Sequence, residues 1–393
     1  MRVLQINTTY NIGSTGRIVA GIDDILIKSG IDSYVAYGYG ALQDDRHYKI
    51  INQFDSKFHN IQSRMSDSQG LHSTRKTKKL IEWIDSVNPD IIHLHNLHGN
   101  YFNYELFFTY LKKKSCKVVW TFHDCWPFTG HCAYFDLVNC SKWKNGCHNC
   151  PQIRSYPPSL CDNSSRNYDL KRSLFTSLGN RLLLVPVSNW LSGLIRESFL
   201  SKSNVSVVHN GINLNDFCYQ KYSRSKPYVL GVAYPWDTRK GLSDFFKLRK
   251  LLSDEIDIVL VGLSKAQIAE LPKGIIGIMR TNSVGELAQL YSGAIAFVNT
   301  TYEDNYPTVN LESIACGTPV ITYQTGGSPE SVGESCGFVV SKGDVEGLNT
   351  AVASIYNHSK KFDREELIRF AHEHFNQTEC FKAYLKFYKP ALG

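Results

Sequence analysis

Four groups of residues in this chain have types and spacings that could do chemistry. The first is acidic: Glu303, Asp304 and Glu312 fall within residues 299–321, a stretch that reads as strand, acidic loop, carboxylate-bearing helix, glycine stop at Gly317 and second strand. A solvated loop and a helix N-terminus that favours negative charge would account for Asp304. They account less well for Glu312, which sits among Val309, Leu311, Ile314 and Ala315. The second group is cationic, Arg239 and Lys240 before Gly241, placed after a strand and before a helix; a pair of surface cations is the plain alternative. The third is imidazole: His123 precedes Asp124 at the end of the apolar run 118–122, and His95 ends the run 90–95. A histidine at a strand end is most often a satisfied polar residue. The fourth is thiol: Cys132, Cys140, Cys147 and Cys150 bring four sulfurs within 19 positions, enough for a tetrahedral zinc site or an iron–sulfur cluster. Structural zinc is the leading expectation, with Cys125, Cys161, His131 and His148 in reserve; disulfides or reduced thiols packing a loop are the alternatives.

These groups need a scaffold, and the patterning supplies one. Residues 3–6 form a short apolar run, and the turn Gly13, Ser14, Thr15, Gly16 leads into a helix with Ile18, Val19, Ile22, Ile25 and Leu26 on one face, closed by Gly30. Strand-length runs at 34–37, 90–95, 118–121 and 182–187 alternate with helical stretches at 79–87 and 104–113. A second series follows 205–209, with strands at 229–233, 256–261, 294–299 and 320–322 and helices at 242–252, 285–291, 309–316 and 345–356. Helical stretches at 364–374 and 378–388 close the chain. Such alternation predicts α/β architecture, two Rossmann-like domains with parallel sheets facing across an inter-domain cleft. In such sheets, glycine turns and helix N-termini at the carboxyl ends of strands present N–H groups to phosphate. The expected domains are 1–205, with a Cys-rich insert at about 125–161, and 206–372, with 373–393 crossing back to the first.

Composition bounds the function. A chain of 393 residues suits two domains, and 42% hydrophobic with 20% charged residues excludes a largely disordered or fibrous protein. No apolar run is long enough to span a bilayer, and Arg2 and Gln5 interrupt any early signal core, so a cytoplasmic location is expected. A net charge of +7 favours an anionic surface or phosphate-bearing substrate and does not imply nucleic acid.

The acidic segment, with Asp304 and Glu312 separated by seven residues, resembles that of the retaining, family 4 type glycosyltransferases with two Rossmann-like domains (GT-B), which use nucleotide-diphosphate sugars. Here the first acid is Asp304 preceded by Glu303, so either could meet the sugar. The resemblance implies that Glu312 holds the donor ribose. It also implies that Glu303 or Asp304, with backbone N–H groups from Asn305 to Thr308 and Val309, holds the hexose and diphosphate. Lys240, with Arg239 beside it, is similar to the cations that neutralise the leaving diphosphate, and Gly327 to the glycine turn after the next strand. In the first domain His123 resembles the family's catalytic-site histidine that approaches the donor hexose, and Asp124, His95 and the turn glycines Gly13 and Gly16 resemble its substrate-binding positions. The run from His123 through Trp126, Thr129, Gly130, Cys132, Cys140, Trp143, Gly146, Cys147 and Cys150 looks like the colanic-acid and capsular exopolysaccharide type. The implied reaction moves a hexose from a UDP- or GDP-sugar to a saccharide or lipid-linked acceptor by front-face attack. No cofactor is needed for the chemistry, and any zinc would be structural. Basic groups at Arg75, Lys76, Lys78, Lys79 and at Lys112, Lys113, Lys114, Lys117 suit an anionic inner-membrane surface, as well as plain solvated helix faces. An epimerase or phosphorylase, or a non-catalytic zinc-braced sugar-nucleotide-binding protein, are the rival readings.

Overall fold

Strand β1 (Arg2–Thr9) is an interior strand of the first sheet with both its faces covered: Val3, Leu4, Gln5, Ile6 and Asn7 are all buried. The structure is a computed structural model and describes residues 1–389. Beside β1 run β2 (Asp32–Tyr39), β3 (His47–Lys49), β4 (Ile91–Leu94), β5 (Lys117–Phe122), β6 (Leu182–Pro186) and β7 (Asn204–Val205), all parallel, in the order β3-β2-β1-β4-β5-β6-β7. The crossovers carry α1 (Gly13–Lys28), α2 (Gln53–Ser66), α3 (Thr74–Val87), α4 (Tyr104–Leu111), α5 (Ser164–Phe175) and α6 (Asn189–Glu197). Helix α1 buries the expected Ile18, Val19, Ile22, Ile25 and Leu26, and Gly30 follows it at φ +71°.

The second sheet repeats the plan with β8 (Tyr228–Val232), β9 (Asp257–Val261), β10 (Ile275–Ile278), β11 (Ala296–Asn299), β12 (Val320–Tyr323) and β13 (Gly337–Val340), again parallel, in the order β10-β9-β8-β11-β12-β13. Its helices are α7 (Leu242–Leu251), α8 (Lys265–Ala269), α9 (Val284–Ser292), α10 (Thr308–Ala315), α11 (Val345–Tyr356) and α12 (Arg364–His374). Phe245 and Leu248 of α7 and Leu348 and Val352 of α11 pack with the strand residues Val229, Ile258, Leu260, Val298 and Ile321. Buried Arg249 caps α7, donating to the carbonyls of Leu252, Ser253 and Ile256. Thus both halves are the Rossmann-like α/β units that the patterning predicts.

The chain divides into two compact units, Met1–His209 with the residues from Phe381 onward, and Asn210–Cys380. The expected last helix is two, α13 (Gln377–Lys382) and α14 (Leu385–Tyr388), and the division falls within α13. The returning segment belongs to the first unit. There Tyr388 Oη lies 2.6 Å from His93 Nδ1, His93 Nε2 lies 2.8 Å from Thr121 Oγ1, and the Thr121 hydroxyl donates to Tyr384 Oη at 3.1 Å. Among the described residues no helix is long and apolar enough to cross a membrane.

Burial, aided by nearby His123, drives the His93 pKa down to about 3, and burial with neighbouring His72 does the same to His59. Both rings are therefore neutral in the fold but charge below their ordinary value of about 6.5 once unfolded. The unfolded state then binds more protons between pH 6.5 and about 3, so stability is full above this window and falls as pH drops through it. The thermal midpoint should decline from pH 7.5 to pH 5, before carboxylates titrate, and less steeply in His93→Gln. A flat profile would contradict the assignment.

Candidate functional site

In doubly wound sheets, the strand order reverses at one point, and loops leaving the carboxyl ends there diverge and make room for a ligand. In the second unit that point lies between β8 and β11. The loop after β8 carries Arg239 and Lys240; the loop after β11 carries Glu303 and Asp304. The structure brings all four together. Lys240 Nζ donates to Asp304 Oδ2 at 2.8 Å in a partly buried ion pair. Arg239 Nη1 donates to the Glu303 carbonyl at 2.8 Å, and the Tyr302 N–H donates back to the Arg239 carbonyl at 2.8 Å. The Thr300 hydroxyl donates to the carbonyls of Lys240 and Gly241 at 2.9 and 3.2 Å. Burial pushes the Asp304 carboxyl upward, but attraction to Lys240 and Arg239 outweighs it, so the carboxyl lies below its ordinary range and stays ionised.

A third loop, after β12, fixes the acidic one. Gly326, at φ +53°, lies so close that a Cβ there would come within 1.8 Å of the Asp304 carbonyl oxygen, and the Gly327 N–H donates to the same oxygen at 3.1 Å. Helix α10 begins at Thr308, half-buried with Val309, and its first N–H groups have no intrahelical acceptors. Its orientation is set by a buried amide, Asn310, which accepts from Asn299 at 2.9 Å and donates to Ser328 and Ser331 at 3.1 and 3.0 Å. Asn305 is buried at the entry to this helix. Glu312 lies one turn into it, buried, and accepts from the Tyr291 hydroxyl at 3.1 Å.

In the first unit the reversal lies between β1 and β4. Gly13 opens α1 at φ +67°, and a Cβ on Gly16 would meet Thr9 Oγ1 at 2.8 Å. His95 and His123 stack with ring centroids 5.4 Å apart. Gln5, a polar residue in an apolar strand, sets their protons. Its amide nitrogen donates to the Val19 carbonyl, so its oxygen receives the His95 Nε2–H at 3.2 Å. Burial holds His95 well below its ordinary pKa, and the neutral ring therefore offers Nδ1 as an acceptor. His123 Nε2, 3.1 Å away, must be the donor. Burial likewise lowers His123, to about 4, which leaves its Nδ1 a lone-pair acceptor. His95 thus holds His123 in one tautomer, both of its own nitrogens being engaged. Asp124 is engaged at both oxygens, by His98 Nε2 at 2.7 Å and by the Trp126 N–H at 2.9 Å. Gln5, Asn310 and Tyr291 were not candidates from sequence; the interrupted run Val3, Leu4, Gln5, Ile6 was the one signal available.

The zinc site expected at Cys132, Cys140, Cys147 and Cys150 is corrected: among the described residues no three His, Cys, Asp or Glu side chains form a group that could hold a metal ion. All eleven cysteines are free, so the disulfide alternative is not formed either. The sulfurs have other partners. The Cys132 thiol hydrogen-bonds Cys150, lowering the latter to about 7, and Cys147 accepts from the Gly130 N–H at 3.2 Å. The insert is braced instead by Lys171, buried, donating to the carbonyls of Trp126 and Thr129 at 2.7 and 3.0 Å and lying 3.4 Å from the Trp126 ring centroid. Stacked Phe135 and Trp143 and the hydrogen bond between His131 Nδ1 and Asp67 complete the brace.

Residues 26–216 match the family model Glycosyltransferase Family 4, and residues 226–358 match Glycosyl transferases group 1. The chain is 25% identical over 368 residues, 88% of each protein, to WcaC of Escherichia coli K12, assigned as a glycosyl transferase of colanic acid biosynthesis. Among solved structures it resembles sucrose-phosphate synthase from Thermosynechococcus elongatus, at TM-score 0.71, 16% identity and 98% of both chains. It also resembles Anabaena HepE solved with UDP-glucose, at TM-score 0.65, 12% identity, 98% of this chain and 99% of that one.

Imidazole nitrogen shifts from long-range proton–nitrogen correlation spectra should place the His123 proton on Nε2, and Gln5→Leu should mix the tautomers. A proton on His123 Nδ1 in the unsubstituted protein would refute the Gln5–His95–His123 chain.

Proposed function

We propose that this chain, which belongs to the glycosyltransferases of the family 4 and group 1 type, moves a hexose with retention of configuration from a UDP- or GDP-sugar to a growing, lipid-linked exopolysaccharide unit. The observation that carries the donor assignment is the Lys240–Asp304 pair at the strand-order reversal of the second unit. An ammonium has three protons, so Lys240 can keep Asp304 on one and direct another at a phosphate oxygen. The first N–H groups of α10, from Thr308 and Val309, supply further anion donors, and Arg239 adds positive charge at the same loop. Glu312 takes ribose hydroxyls, and Asp304, with Glu303 beside it, takes a hexose hydroxyl. His123, fixed as an acceptor at Nδ1, accepts a saccharide hydroxyl, with His95 as its positioning residue, and Asp124 lies beside it at the same strand end. The exopolysaccharide reading is supported by the likeness to WcaC, and the UDP donor by the fold shared with HepE.

In the proposed step the bond between C1 and the diphosphate oxygen breaks, and the electron pair leaves with the nucleoside diphosphate. The acceptor oxygen bonds to C1 from the face just vacated, and its proton passes to the departing phosphate. Charge on that phosphate grows toward the transition state, so Lys240 stabilises the transition state more than the bound donor. Because this cation and the helix start neutralise the leaving group, the chemistry runs without a divalent ion. A peripheral site at the inner face of the membrane would bring the enzyme to its lipid-linked acceptor.

A screen of common UDP- and GDP-sugars, with and without saccharide acceptors, tests the assignment. Conversion of the donor alone would indicate epimerisation, and binding without consumption would indicate a non-catalytic protein. With the preferred donor, Glu312→Ala should raise Kd about ten- to a hundredfold through loss of a charged hydrogen-bond acceptor, roughly 1.5–3 kcal/mol. Lys240→Ala should lower kcat more than it weakens donor affinity, and equal losses would assign Lys240 to uniform binding.

A further inference from the structure

We propose that α2 is an interfacial helix that seats Phe54, Phe58, Ile61 and Met65 in the surface of an anionic lipid bilayer. The helix is inside out. At 100° per residue these four side chains share a stripe about 60° wide, and they are 79%, 57%, 56% and 64% exposed. The opposite face, buried against the unit, consists of Ser56, His59 and Ser63. A helix whose apolar side merely covered a core would show the reverse pattern. The patch extends beyond the helix: Leu160, 66% exposed, donates its N–H to the Arg64 carbonyl, and Cys161 donates its thiol to the Met65 carbonyl. A contiguous exposed apolar surface marks a site of association.

The charges beside the stripe choose the occupant. Lys57 and Arg64 run along one of its edges, both exposed. Asp55, the one acidic residue within α2, lies on the other edge and is engaged by Lys76 at 2.7 Å. His59 Nδ1, 2.8 Å from Ser73 Oγ, joins the inner face of α2 to the start of α3, where Arg75, Lys78 and Lys79 are exposed and Lys76 half-buried. An apolar stripe rimmed by Lys and Arg has the chemistry of a helix lying at the boundary of headgroups and acyl chains, and neither component alone would hold firmly. Self-association is disfavoured by the same charges, because a two-fold contact through this face would set Lys57 and Arg64 against their own copies. The choice of a lipid occupant rests on the lipid-linked acceptor proposed above.

Cosedimentation of the full chain with vesicles of phosphatidylcholine alone, or mixed with phosphatidylglycerol, tests this without donor or acceptor. Binding is expected to the mixed vesicles, weakened by high salt. It should fall about tenfold or more in Phe58→Ser/Ile61→Ser, through lost apolar burial, and in Lys57→Glu/Arg64→Glu, through lost charge attraction. Thermal midpoints of both variants should match that of the parent, as the substituted side chains face solvent. In Phe58→Trp, brominated acyl chains should quench the new fluorescence. Absence of binding to any vesicle, equal binding by Phe58→Ser/Ile61→Ser, or a vesicle-indifferent dimer dissolved by that variant would overturn the proposal. Failure of sugar transfer with vesicle binding intact would count against the enzymatic assignment alone.

Discussion

The ion pair between Lys240 and Asp304 joins two loops that the sheet topology would otherwise send apart. Around it the backbone is locked. The Arg239 guanidinium and carbonyl bind the acidic loop in both directions, the Thr300 hydroxyl holds the carbonyls of Lys240 and Gly241, and Gly326 presses on the Asp304 carbonyl. A lysine in water samples many rotamers, and ordering it during a reaction costs free energy. Here that ordering is complete before a ligand arrives, and a preorganised charge acts on a developing phosphate without reorganisation.

The first unit solves its positioning problem with neutral groups. His93, His95 and His123 are buried deeply enough that protonation is disfavoured, and each takes its orientation from a hydrogen-bond partner. The partners come from distant parts of the sequence: Gln5 from the first strand and Tyr388 from the last helix. The closing segment thus contributes to the same layer of polar side chains as the opening one. The Cys-rich insert follows a related logic, since Lys171 satisfies carbonyls that a loop of this length would leave unpaired. Burial lowers its pKa to about 7.

Much of this was legible in the residues. The alternation of apolar runs gave both sheets, and the spacing of Asp304 and Glu312 with the cations at 239 and 240 pointed to the carboxyl ends of the right strands. What the spacing could not convey was pairing: that Lys240 meets Asp304, that Asp124 spends its two oxygens on His98 and the Trp126 N–H, or that His95 serves His123. Helix α2 went unassigned because sequence reading looks for an apolar face to bury, and this helix buries Ser56, His59 and Ser63. The edge strands β10 and β13 are short and carry glycines, which weakens their pattern. The thiols misled for a different reason. Ligand spacing along the chain is necessary for a metal site, but convergence in space decides it, and here Cys132 and Cys150 turn to each other while Cys147 turns to a backbone N–H.

The central claim is that the second unit activates a nucleotide sugar for departure of its diphosphate through Lys240. Phosphorus NMR of a reaction containing the preferred donor, a saccharide acceptor and excess EDTA reads this directly. The account predicts stoichiometric release of the intact nucleoside diphosphate, undiminished by the chelator and nearly abolished in Lys240→Ala. Release of nucleoside monophosphate, which would mean cleavage between the phosphates, or full turnover by Lys240→Ala would contradict it.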